Sequence, residues 1–96
     1  MVTLHDGSQV PEPALAVTMV ALNSVLTEGL RAANDLLKKC KDPEFQITDD
    51  SSKKTLKKYQ LIEEDGGVHD TVSKIVVNAA RGNGVFLHFL NPVKKA

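Results

Sequence analysis

Residues 13–41, PALAVTMVALNSVLTEGLRAANDLLKKCK, decide the fold. Leu15, Met19, Leu22, Leu26, Gly29, Ala33, Leu36 and Cys40 recur at alternating steps of four and three, which makes one continuous apolar seam on a helix. The spacing predicts a long N-terminal helix over this stretch, with Gly29 the place where a break would fall. Pro11 and Pro13 suit its first turn, where Glu12 also complements the helix dipole. Lys38, Lys39 and Lys41 favour its end, and Asp42-Pro43 stops it.

The two halves of this helix differ. Residues 28–41 are ordinarily amphipathic, whereas residues 14–26 are apolar nearly all round, with Val17, Val20, Ala21 and Val25 off the seam. A helix of that kind must be covered on more than one side. Unbroken, roughly 28 residues would reach about 42 Å. A domain of this size is only about 34 Å across. The expected outcome is an interface with a second copy of the chain, or with a partner helix, through Leu15, Met19, Leu22, Val25 and Leu26.

Outward from the helix the signals weaken. Val2-Thr3-Leu4-His5 alternates, Asp6-Gly7-Ser8 has turn chemistry, and Gln9-Val10 follows, which reads as a short strand or extended arm. Phe45-Gln46-Ile47 reads as an extended link. Thr48 or Asp50 is expected to cap a second helix that runs to about Tyr59. Glu63-Glu64-Asp65-Gly66-Gly67 makes a turn, and a third helix spans about 68–81 with Val68, Val72, Ile75, Val76, Ala79 and Ala80 on one face. Arg81-Gly82-Asn83-Gly84 ends it, residues 85–90 read as a buried strand, and 93–96 as a frayed tail. The expected fold is α+β, mainly α: about three helices led by one long N-terminal helix, with short strands near the N- and C-termini. All of it falls in a single small domain, 1–96.

Composition narrows the function. Twelve Lys and Arg balance twelve Asp and Glu, which argues against a protein that binds nucleic acid mainly by field. One cysteine forms no intrachain disulfide, and no Cys/His spacing fits structural zinc, so no metal or cofactor is expected. The N-terminus has no basic n-region. The longest uncharged run, 15 residues between Glu12 and Glu28, is too short and polar to span a bilayer. A soluble cytoplasmic protein with no membrane contact is the expectation, and association replaces the missing covalent staples of a small core.

Residues 67–78, Gly-Val-His-Asp-Thr-Val-Ser-Lys-Ile-Val-Val-Asn, resemble the recognition-helix region of LacI-type helix-turn-helix repressors. The resemblance implies a DNA-binding helix with His69, Thr71, Ser73, Lys74 and Asn78 toward a major groove. Lys53, Lys54, Lys57 and Lys58 share one helical face and would grip phosphate in that reading. The competing reading packs the third helix on the first by its Val/Ile/Ala face and leaves the lysines solvated between flanking acids. Two His-Asp pairs, His5-Asp6 and His69-Asp70, impose no ligand geometry at their separation. Cys40 continues the apolar seam and reads as a structural thiol rather than a nucleophile. No two titratable groups are placed together, so neither an enzyme nor a small-molecule substrate is inferred. A non-enzymatic, self-associating interaction module is the first reading, and a divergent helix-turn-helix DNA-binding protein the alternative.

Overall fold

A computed structural model describes residues 1–80. The predicted strand at 85–90, the turn at 81–84 and the tail lie outside the described residues.

The chain opens with a hairpin. β1 (Val2–Thr3) pairs antiparallel with β2 (Gln9–Val10), Val2 opposite Val10 and Thr3 opposite Gln9. Its turn is closed by the Leu4 amide donating to the Ser8 carbonyl at 2.8 Å and the Gly7 amide to the Leu4 carbonyl at 3.0 Å. Asp6 stiffens it by accepting from both the amide and the hydroxyl of Ser8, at 2.9 and 2.6 Å. The extended arm is therefore a two-stranded ribbon, too small to stand alone. Leu4 and Val10 turn inward and form a satellite cluster with Ile75, flanked by Leu15 and Met19.

Four helices follow among the described residues, so the chain is mostly helical. The single long helix predicted over 13–41 is corrected to two: α1 (Glu12–Glu28) and α2 (Leu30–Lys41). Gly29 separates them with φ 149° and ψ 156°, a conformation that L side chains rarely adopt and glycine enters freely. The break lets the two halves pack on each other instead of outrunning the domain. α2 buries Ala32, Ala33, Leu36 and Leu37, and it packs against α1, α3 and α4. Its end matches expectation, with three lysines in the last turn and Asp42 in an extended conformation.

α3 (Asp50–Lys58) begins one residue away from either predicted cap. Asp49 is the N-cap, its carboxylate accepting from the Ser52 amide at 2.8 Å, the reach of a capping side chain to the third helical residue. Only Ser52 and Leu56 of α3 are buried; Leu61 and Ile62 just beyond it complete that wall of the core. The acidic turn closes through the Glu63 amide to the Gly67 carbonyl at 2.8 Å, with Gly66 at φ 86°. α4 (Asp70–Ala79) starts later and ends earlier than the predicted 68–81. His69 caps it by accepting the Thr71 amide on Nδ1 at 3.2 Å. The main core joins Leu22 and Val25 of α1, the inner face of α2, Ile47, Leu56, Leu61, Ile62, and Val76 and Ala79 of α4.

Candidate functional site

At 100° per residue, the seventeen residues of α1 divide cleanly into faces. Thr18, Leu22 and Val25 form the buried stripe. Leu15, Met19 and Leu26 are half-buried beside it, the first two toward the hairpin cluster and Met19 and Leu26 against the main core. Of the five residues expected at an interface, Leu22 and Val25 are thus wholly enclosed by the chain's own α2 and α4 walls, and the other three lean on the same cores. The seam faces inward because the break at Gly29 brings α2 back against it.

The opposite face was not singled out by the seam, yet it is the unusual surface. Pro13, Ala16, Val17, Val20, Asn23 and Thr27 are exposed, Val17 at 70% and Val20 at 68%. No charge falls between Glu12 and Glu28. The hydroxyls near this face bond back to their own helix: Ser24 to the Val20 carbonyl at 3.1 Å and Thr27 to the Asn23 carbonyl at 2.9 Å. They have spent a donor internally, so beside the exposed Asn23 amide the face presents mainly methyl groups. The signal for it was present in the sequence as the all-round apolar character of 14–26.

α4 places its polar residues differently from a groove-reading helix. Asn78 is 3% exposed. Its Oδ1 accepts the Asp6 amide at 2.9 Å, and its Nδ2 donates to the Lys74 carbonyl at 2.7 Å, so it ties the hairpin turn to α4. Thr71 and Ser73 are half-buried, the Ser73 hydroxyl lying 3.4 Å from the Cys40 carbonyl. Lys74 pairs with Asp70 at 3.2 Å, which neutralises the outward strip of the helix. His69 is exposed and occupied as a cap. These five do not converge on one exposed face.

The α3 lysines do share a side, and one of the four is engaged in a contact. Lys54 and Lys57 are exposed and Lys53 half-buried, while Lys58 lies 3.5 Å from Glu28 and over the Tyr59 ring. The Tyr59 hydroxyl also donates to Glu28. That hydrogen bond, and secondly the Lys58 charge, hold the Glu28 carboxyl below its ordinary range, while Glu28 raises Lys58. Lys39, Lys53 and Lys57 line one cleft together with Glu64 and Asp65.

Cys40 is half-buried, and burial pushes its thiol up to about 11 despite lysines on either side in sequence. It is a protonated thiol at neutral pH and a poor nucleophile. Among the described residues no three His, Cys, Asp or Glu side chains gather as a metal site, and no helix is long and apolar enough to cross a membrane. No protein-family model, curated protein or solved structure matches the chain.

Proposed function

We propose that this chain is a small, non-enzymatic protein-interaction module that associates with a second copy of itself through the outer face of α1. The carrying observation is the exposed, uncharged surface centred on Val17 and Val20. An uncharged face is complementary to itself: two copies crossing there bring no like charges together at the centre, and helix crossing keeps Glu12 and Glu28 at the rim. The back-bonded Ser24 and Thr27 hydroxyls lower the desolvation cost of a dry contact.

Magnitude sets the kind of association. Burying a valine gives about 1.5 kcal/mol, so four valines from two copies supply about 4–6 kcal/mol before the cost of association. These four alone only offset that cost, so the exposed Pro13, Ala16 and Thr27 of both copies supply the surplus, and the result is a weak, reversible dimer at the small end of specific interfaces. A half-buried lone thiol with no disulfide partner in the chain fits the reducing cytoplasm.

The test is equilibrium sedimentation over a concentration series, with Val20→Glu beside the parent chain. The proposal predicts dimer forming at high micromolar concentration in the parent and none in Val20→Glu, with equal denaturant stability for both. A parent that stays monomeric at high micromolar concentration overturns it.

A further inference from the structure

The junction of α1 and α2 is written in sequence as a helix interior and is broken in structure. Independent helices end with capping side chains, with anions near the N-terminus and cations near the C-terminus. Here α1 closes on Glu28 with no base in its last turn. α2 opens with Arg31 in its first turn, no acid there and no side-chain cap. Both charges have the wrong sign for the ends they occupy. In an uninterrupted helix the same two residues become an i,i+3 pair with the acid N-terminal, the favoured order. The apolar seam also runs through Gly29 without losing phase.

What holds the bend is α3, which lies across it. Tyr59 and Lys58, at one end of α3, bond to Glu28; at the other end Asp49 pairs with Arg31 at 3.5 Å. An open pocket of about 90 Å³ lies between them, lined by Val25, Gly29, Ala32, Ser52 and Thr55 together with the clamping Glu28, Arg31 and Asp49. Glu28, Arg31 and Lys58 are exposed and Asp49 and Tyr59 only half-buried, and ion pairs this close to solvent are individually weak.

We infer that Gly29 is a hinge between this bent chain and a straight one, in which α1 and α2 fuse into one helix over 12–41 and the hairpin–α1 arm packs into a second copy of the chain. The contacts of α1 with α2 and α4, and of Leu4 and Val10 with Ile75, are remade between copies, so exchange sacrifices few of them. Val17 and Val20 point away from these contacts in both states. The exchange therefore stands apart from outer-face association and is tested with that face disabled by Val20→Glu.

Two hinge substitutions push in opposite directions. A Cβ at Gly29 meets nothing within 4 Å, so Gly29→Ala acts through the backbone alone. It disfavours φ 149° and favours helix, together on the order of 30-fold toward the straight form. Leu30→Pro does the reverse. Position 30 is the exposed first residue of α2, where proline is well accommodated, and the extended Gly29 suits the residue before it. In a fused helix the same proline would clash with the Leu26 carbonyl and remove a hydrogen bond.

The experiment uses the full chain carrying Val20→Glu, with sedimentation for mass. Spin labels on Glu12→Cys and Lys41→Cys, in a Cys40→Ala background, report distance. Gly29→Ala is expected to tighten self-association about 900-fold, about 30-fold for each of the two hinges straightened, and to move the labels to about 44 Å, the length of 29 helical rises. Leu30→Pro is expected to stay monomeric with the shorter parental separation. A monomeric Gly29→Ala chain with unchanged label separation overturns the hinge, and so does a Leu30→Pro chain that dimerises.

Discussion

Leu22 and Val20 stand two residues apart on α1 and should respond oppositely to truncation. Leu22 has no exposed surface and packs in the main core, whereas Val20 is 68% exposed. Leu22→Ala removes three carbon atoms from a closed site. The lost transfer energy is at least about 2 kcal/mol, and a cavity that cannot fully collapse raises the total to about 2–5 kcal/mol. A domain of this size has about 5–14 kcal/mol to lose, so the variant folds with a visibly lower urea midpoint. Val20→Ala, measured at low concentration so that association does not enter, should stay within about 0.5 kcal/mol of the parent. Urea unfolding followed by far-UV dichroism measures both. The reasoning fails if Leu22→Ala costs under 1 kcal/mol, or if Val20→Ala costs as much as Leu22→Ala, because either result would mean that α1 turns a different face inward.

Other expectations follow from single contacts. Asn78→Ala strands the Asp6 amide, while the Lys74 carbonyl keeps its helical partner, and should cost about 1–3 kcal/mol in denaturant unfolding. A base-reading Asn78 would instead affect duplex binding and leave stability alone. Three carboxyls are held below their ordinary range in the folded chain: Asp6 by the Ser8 hydroxyl, Asp49 by the Ser52 amide and Glu28 by Tyr59. The unfolded state therefore takes up protons first, so stability is full above about pH 5 and falls as pH drops through about 4 and below; Glu28→Gln should flatten part of that slope in a melting series. With its thiol near 11, Cys40 should react with a disulfide reagent at pH 8 far more slowly in the folded chain than in urea.

The helical content and the hairpin turn were legible because their signals are local. Asp6-Gly7-Ser8 carries its own turn chemistry, and the lysines of 38–41 announce a helix end. The break at Gly29 was legible only as an option. A seam in phase on both sides and charges suited to a helix interior conceal it, and what bends the chain is tertiary, since α3 grips Glu28 and Arg31 from outside. The inner stripe of α1 was misplaced for a related reason. The heptad seam centres near Leu15, Met19, Leu22 and Leu26, but α1 must satisfy two clusters at once. The buried stripe is rotated toward Thr18 and Val25, roughly 60° around the helix. Asn78 could not be placed from sequence, because its partner Asp6 lies 72 positions away. Its placement differs from the one the resemblance implies: the Asn that would face a base faces a hairpin.

The outer face of α1 is the centre of the account, and solution mass tests it most directly. Sedimentation equilibrium on the parent chain and on Val20→Glu should give a concentration-dependent rise toward twice the monomer mass in the first and a constant monomer mass in the second. Equal masses for the two chains throughout the series would contradict it.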